Sequence, residues 1–143
     1  LTVKLWNVYG VESDLEKSHV ITDFILKAIK KGFDVEIDVW FENNVFLLGH
    51  DNPKYEIDPK YLENPKLWCH AKNLAALETM KSIDCHFFWH EEDKYTLTSK
   101  GYIWAYPGNF AGKNSIFLFP EKYPNIDYKL CAGICSDFVE NYI

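Results

Sequence analysis

The chain has 143 residues, of which 48% are hydrophobic and 25% charged, a composition typical of a globular protein and unlike that of a disordered one. This length fits one hydrophobic core, so we predict a single domain over residues 1–143. Acidic residues outnumber basic ones by 21 to 15, and the net charge of -6 argues against binding to a nucleic acid duplex through its phosphates.

The first predicted elements are a short strand over residues 2–6, a polar loop over residues 7–17 and a helix. The helix is the clearest in the sequence, because Ser18 is a favourable N-cap and apolar residues recur at helical spacing after it. Lysines fill its last turn and Gly32 ends it.

A β-hairpin follows the helix directly. Polar and apolar residues alternate over residues 33–40, which predicts a strand with Asp34, Glu36 and Asp38 on one face. A turn at residues 42–44 leads to a second strand at residues 45–48.

The rest of the chain predicts one more helix and several short strands. Asn73 caps a helix that runs to Met80, with Leu74, Leu77 and Met80 on its buried side. The strands fall at residues 67–71, 85–89, 102–106, 115–119 and 130–135. The strand, helix, strand order at the start is typical of a parallel βαβ unit. We therefore predict an α/β fold, namely an undersized, distorted TIM-like β/α barrel with short connections.

The four cysteines are Cys69, Cys85, Cys131 and Cys135, and they form no C-x-x-C pair. Buried reduced thiols are the simplest expectation. The Cys69-His70 and Cys85-His86 dipeptides could contribute to a zinc site, but they lack the usual ligand spacing. No apolar run reaches membrane-spanning length, so we expect no membrane span and a cytoplasmic protein. The oligomeric state is not indicated.

The carboxylates of Glu36 and Asp38 point to a metal site. Two like charges on one face of a strand repel each other strongly in a dry environment, unless a cation or a basic side chain lies between them, and a divalent metal ion is the simplest solution. Oxygen ligands favour Mg²⁺ or Ca²⁺ over zinc. The alternative is a solvated strand face, which suffices for Asp34.

Three residues near strand ends are candidates for the chemistry around such a cation. His50, followed by Asp51 at the end of the hairpin, is a candidate general acid or base. His70 and Lys72 stand two apart, so they share a face and fit a metal ligand and a phosphate-binding cation. A structural histidine with an exposed lysine is an equally simple interpretation.

The order E-x-D, hairpin, H-D resembles the glycerophosphodiester phosphodiesterase and phospholipase C-like family. The similarity is strongest over residues 16–51, where Glu36, Asp38, His50 and Asp51 match, and Ser136-Asp137 resembles the family's late T-D. It implies a β/α barrel that hydrolyses phosphodiesters.

The resemblance also implies roles for individual residues. Glu36 and Asp38 would bind a divalent cation, and His50 would transfer a proton. The family's E-x-K motif reads His70-Ala71-Lys72 here, so His70 would replace the third metal ligand and Lys72 would keep the phosphate contact.

The chain departs from the family at its first strand. Lys4-Leu5-Trp6-Asn7 stands where the family has H-R-G, with its second catalytic histidine and its arginine. Lys4 is a candidate phosphate-binding cation. His19 and His90 are candidates for the vacant place, although neither is at the expected position.

Three functions remain open from the sequence. The first is a metal-dependent phosphodiesterase for a small glycerophosphodiester- or phosphoinositide-like diester. The second is an inactive homologue that binds or sequesters a phosphorylated metabolite or nucleotide, with Trp68, Trp89 or Trp104 stacking on a base or sugar. The third is an interaction module whose acidic strand is only surface.

Overall fold

The computed structural model describes residues 3–7 and 18–142, with side chains from residue 21 onward. Its α-helices are α1 (Ser18–Lys30) and α2 (Leu74–Met80). The strands are β1 (Val3–Asn7), β2 (Asp34–Glu42), β3 (Val45–Leu48), β4 (Tyr55–Ile57), β5 (Leu67–Ala71), β6 (Phe87–Phe88), β7 (Tyr95–Leu97), β8 (Ile103–Ala105), β9 (Ser115–Leu118) and β10 (Gly133–Ser136). Short 3-10 helices cover Pro59–Glu63, Pro120–Lys122, Tyr128–Leu130 and Val139–Tyr142.

The strands form one branched sheet around β2. Parallel pairs give the order β6-β5-β2-β1-β10-β9-β8, and β7 pairs antiparallel with β8 at the end. The second half of β2 also pairs antiparallel with β3, which carries β4. The predicted parallel βαβ unit is confirmed, because β1 and β2 are parallel neighbours joined through α1.

The sheet is curled but open, and the predicted TIM-like barrel is wrong. Phe88 of β6 and Trp104 of β8 lie toward opposite ends of the strand order, yet their ring centroids are 4.6 Å apart. Within the described residues, however, no ladder joins β6 to β8, and only two α-helices are present. A TIM barrel needs eight parallel strands, each followed by a helix. Here three strand pairs are antiparallel, and the connections after α2 are loops and 3-10 turns.

The two faces of β2 differ sharply in chemistry. Val35, Ile37 and Val39 are buried on the outer face, in a core cluster with residues of α1 and α2 such as Ile25 and Met80. The inner face carries Glu36 and Asp38. A second buried cluster contains Trp68, Phe88, Trp104, Ile116, Leu118 and Cys135, from five other strands. The alternation predicted from the sequence therefore separates an apolar helix-facing side from a polar inner side.

The cysteines are buried free thiols, as predicted. Cys69 belongs to the core cluster packed by the helices, whereas the next residue, His70, is turned toward Asp38 on the inner face of the sheet. The Cys69-His70 dipeptide thus does not gather its two side chains around one ion. In the described part of the chain, no helix combines the length and apolar character needed to cross a membrane.

Candidate functional site

Two adjacent parallel strands carry the centre of the candidate site. In the register of β2 and β5, Asp38 pairs with His70 and Glu36 pairs with Trp68. Side chains of paired residues in neighbouring strands stand side by side on one face. Glu36, Asp38 and His70 therefore meet, with ligand atoms all within 4.8 Å of one another. These three residues are called the carboxylate–histidine cluster below.

The hydrogen bond of His70 determines which ring nitrogen faces the carboxylates. His70 Nε2 lies 3.1 Å from the carbonyl oxygen of His90, and a carbonyl can only accept, so Nε2 carries the proton. In the neutral ring, Nδ1 then carries a lone pair and no proton. It lies 2.9 Å from Asp38 Oδ1 and 3.7 Å from Glu36 Oε1. A lone pair facing two carboxylates is repulsive unless a proton or a metal ion lies between them.

Asp38 is the most heavily contacted member of the cluster, yet one of its oxygens lacks a hydrogen bond. Its Oδ2 accepts from His50 Nδ1 at 2.6 Å. Its Oδ1 lies 3.6 Å from Lys72 Nζ, is buried, and accepts no hydrogen bond of acceptable geometry, despite the nearby His70. An unsatisfied buried carboxylate oxygen is costly, and a water, an ion or a ligand can supply its missing partner.

The two carboxylates differ electrostatically. Burial raises the pKa of Glu36 well above its usual value, the charge of Asp38 adds to this, and Lys72 opposes it. Burial would also raise the pKa of Asp38, but contacts with His70, Lys72 and His50 lower it overall. Asp38 is therefore the permanent anion of the pair. Burial therefore favours the protonated form of Glu36.

A tight bend after β3 brings His50 to the cluster. A Cβ atom at Gly49 would lie 2.0 Å from the carbonyl oxygen of Asn52, so only glycine fits there. The bend continues the hairpin, in which Gly49 N donates to the carbonyl oxygen of Asp38. His50 keeps 44% of its side chain exposed while it donates to Asp38, a suitable position for proton exchange with a ligand.

The cluster opens into a pocket, called the central pocket below. His50 and Lys72 line it together with the cluster, and so do His90, Trp104, Tyr106, Pro107 and Phe119. His90 stacks on His70 with ring centroids 4.7 Å apart. Burial, and then the charges of His70 and Lys72, lower the pKa of His90 to about 4, so this imidazole is neutral at physiological pH.

The structure thus brings together five of the residues predicted for the site, and Trp104 lines the same pocket. The five are Glu36, Asp38, His50, His70 and Lys72. Trp68 and Trp89 are not among its lining residues. The side chains of Lys4 and His19, and all of residues 16–17, lie outside the described residues. Asp34 lies at the start of β2, where it pairs with Lys66 at 2.7 Å.

No family model, no curated protein and no solved structure matches the chain. The function proposed below therefore rests on the geometry of the central pocket and on the resemblance of residues 16–51.

Sequence reasoning missed several residues of the pocket. Tyr106, Pro107 and Phe119 follow β8 and β9 directly. The position of an aromatic residue after a parallel strand was the available signal, since loops at the carboxyl ends of parallel strands converge. Phe119 also has a positive φ of 51°, which sequence alone does not indicate for a bulky residue.

Proposed function

We propose that the central pocket binds a divalent cation, Mg²⁺ or Ca²⁺, through Glu36, Asp38 and His70 and hydrolyses a small phosphodiester. The observation that carries the proposal is the orientation of His70. Its Nε2–H is engaged by a backbone carbonyl, which leaves Nδ1 directed at two buried carboxylates. Metal-bound histidines are typically oriented by such a second hydrogen bond.

The distances within the cluster suit a shared cation. Two ligand atoms that share an ion through bonds of about 2.1–2.5 Å can lie no more than about 4–5 Å apart. The His70 Nδ1 distances of 2.9 and 3.7 Å to the two carboxylates lie inside this limit, and all three ligand atoms lie within 4.8 Å of one another, which is close to it. The donor set is mainly oxygen, which favours Mg²⁺ or Ca²⁺ over softer metals.

Lys72 and His50 supply the remaining functions of a phosphodiesterase. Lys72 Nζ, 3.6 Å from Asp38, offsets the charge of a phosphate held beside the cation. His50, oriented by Asp38, takes the proton of the attacking water. A new P–O bond forms from that water, the ester P–O bond breaks, and the departing oxygen recovers a proton from solvent.

The resemblance of residues 16–51 to glycerophosphodiester phosphodiesterases favours a glycerophosphodiester- or phosphoinositide-like substrate. This support comes from the residues of the site and not from the fold, because the sheet is open. A cytoplasmic location belongs to the same proposal.

A second candidate is a binding protein that retains the cation and phosphate contacts without turnover. The specific observation in its favour is the sequence Lys4-Leu5-Trp6-Asn7 in place of H-R-G. A single well-placed imidazole is half of the acid–base pair used by the family, so phosphate binding could persist where catalysis has been lost.

Turnover on a panel of phosphodiesters with Mg²⁺, Ca²⁺ or Mn²⁺ separates the two candidates. The phosphodiesterase predicts metal-dependent release of alcohol, and His50→Ala should lower the rate by about 10²–10⁴-fold. Glu42→Gln, an exposed position on the same strand, is the matched control and should leave the rate unchanged. Metal-dependent binding without turnover supports the binding protein, and absence of both activities contradicts both candidates.

A further inference from the structure

Hydrogen-bonding atoms without partners are concentrated in the central pocket. Among the residues that the structure describes, five buried side-chain nitrogen or oxygen atoms have no hydrogen-bond partner. Three of them, Asp38 Oδ1, His90 Nδ1 and Trp104 Nε1, belong to residues that line this pocket. Since each such atom costs about 1–3 kcal/mol when left unpaired, the presence of three of them on residues of one pocket favours a ligand that supplies the missing partners.

The three atoms have different chemistry. Asp38 Oδ1 is an acceptor and belongs to the proposed cation site. Trp104 Nε1 can only donate, so it requires an acceptor on the ligand. His90 Nδ1 donates or accepts according to its tautomer. The pocket therefore offers a cation-binding group and a separate hydrogen-bond donor.

The ring of Trp104 is packed among aromatic neighbours, and its Nε1 is buried without a partner. The ring lies 4.6 Å from Phe88 and 6.3 Å from Trp68, centroid to centroid, and only 4% of the residue is exposed. The ring therefore packs against other aromatic rings on the inner face of the sheet. This packing leaves little of the ring to stack on a base or sugar, the role expected from the sequence. A buried tryptophan normally finds a partner for its N–H, and here that partner is missing.

We propose that Trp104 is a specificity-determining hydrogen-bond donor for an anionic phosphodiester. One non-bridging oxygen of the diester lies toward the carboxylate–histidine cluster and Lys72, and the other accepts from Trp104 Nε1. This inference rests on the proposed function, because it needs the cation to hold the first oxygen. It selects ligands with two acceptor oxygens on one phosphorus atom over neutral or singly coordinating ligands.

The apolar lining provides a place for the organic group of the diester. Tyr106, Pro107 and Phe119 line the same pocket. Phe119 is held in a left-handed backbone conformation, with Lys122 Nζ 4.2 Å from its ring centroid. For a bulky residue this conformation costs about 1–2 kcal/mol, which is consistent with a position fixed for contact with a ligand.

The probe for this proposal is dimethyl phosphate in the presence of saturating Mg²⁺ or Ca²⁺. In a ¹H–¹⁵N spectrum the five tryptophans give five indole signals, assigned through single Trp→Phe variants. We expect the Trp104 signal to move downfield on titration. The signals of Trp68 and Trp40 should stay, because their N–H groups already donate to Asp34 and to the carbonyl of Gly49.

Affinity measurements give the second readout. Trp104→Phe should weaken dimethyl phosphate binding by about tenfold or more, the usual effect of losing a hydrogen bond to a charged group. Trp68→Phe is the matched control, since it removes an indole from the same aromatic cluster whose N–H is used elsewhere. If Trp104→Phe does not fold, the wild-type signal, assigned from the other four variants, still decides.

The outcomes separate this inference from the proposed function. Metal-dependent binding of dimethyl phosphate with a stationary Trp104 signal, or with unchanged affinity in folded Trp104→Phe, overturns the donor role and leaves the proposed function intact. If the wild-type protein binds no divalent cation, the proposed function and this inference both fail. Cation binding without any dimethyl phosphate binding overturns the inference alone.

Discussion

Glu36 and Asp38 stand two residues apart on one strand, and their surroundings give them different charge states. Asp38 is surrounded by His70, His50 and Lys72, which favour its ionised form. Glu36 is buried beside that negative charge, which favours its protonated form. A cation that binds both carboxylates must displace the proton of Glu36. The surroundings of the two carboxylates thus favour one negative charge on the pair over two.

The variant Gly49→Ala tests whether the bend before His50 requires glycine. Gly49→Ala places a methyl group 2.0 Å from the carbonyl oxygen of Asn52, so the loop must shift. We expect a loss of about 2 kcal/mol or more in unfolding free energy, measured by urea denaturation. Gly112→Ala is the control, because Gly112 also has positive φ but has nothing within 4 Å of an added Cβ. It should cost about 1 kcal/mol, and equal losses in the two variants would contradict the steric explanation.

His86, which does not line the central pocket, should make the stability of the protein depend on pH. Burial, and then the charge of Lys100, lower its pKa to about 4, against about 6.5 in an unfolded chain. The unfolded state therefore binds the proton first, and stability contributed by neutral His86 is complete above pH 6.5. As the pH falls from 6.5 to 4, up to about 3 kcal/mol is lost.

His86→Gln removes this contribution and should flatten the stability profile between pH 4 and 6.5. Denaturation midpoints at several pH values check it. His90 has a similarly lowered pKa and remains in both proteins, so the difference between the two profiles isolates His86. Parallel profiles would show that the pKa of His86 is the same in the folded and unfolded states and would contradict this prediction.

Among the elements, α2 packs on the apolar core and is also linked to β2 by the hydrogen bonds of one side chain, Asn73. Asn73 Oδ1 accepts from Ala76 N at 2.9 Å and from Phe41 N at 3.3 Å, and its Nδ2 donates to Phe41 O. Asn73→Ala removes the helix cap and both links to β2, so we expect a loss of about 2–3 kcal/mol in thermal or chemical unfolding. Asn73→Asp keeps the acceptor and should cost less. Equal losses would place the stabilisation outside the cap.

Elements with strong local patterns were predicted well. The end of α1 at Gly32 (φ 93°), the hairpin of β2 and β3 with its Asn43-Asn44 turn at positive φ, and the cap of α2 agree with the structure. Elements with weak local patterns were not predicted from the sequence. The prediction missed β4 and β7, and Leu74 is 59% exposed instead of buried. Short edge strands leave little periodicity in a sequence, because their neighbours and not their composition define them.

Across the whole chain, the barrel prediction is wrong, whereas five of the residues predicted for the site do line one pocket. Spacing along β2 and β5 determines which side chains share a face, so Glu36, Asp38, His70 and Lys72 could be grouped from local sequence. Closure of a sheet depends on pairing between distant strands, and β6 has only two residues with which to pair. Trp104 and His90 reach the pocket because the sheet curls and brings its two ends together. Local sequence does not determine this curling, so the hydrogen bonding of these two residues could not be predicted.

Calorimetric titration of Mg²⁺ and of Ca²⁺ into the protein tests whether the carboxylate–histidine cluster binds a divalent cation. We predict one binding site in the wild-type protein, binding at least about tenfold weaker in Glu36→Gln, and unchanged binding in Glu42→Gln. Glu36→Gln keeps the shape of the protonated side chain, so it should remain folded. Absence of binding of either ion to the wild-type protein, or equal binding by Glu36→Gln, would contradict a metal centre formed by Glu36, Asp38 and His70.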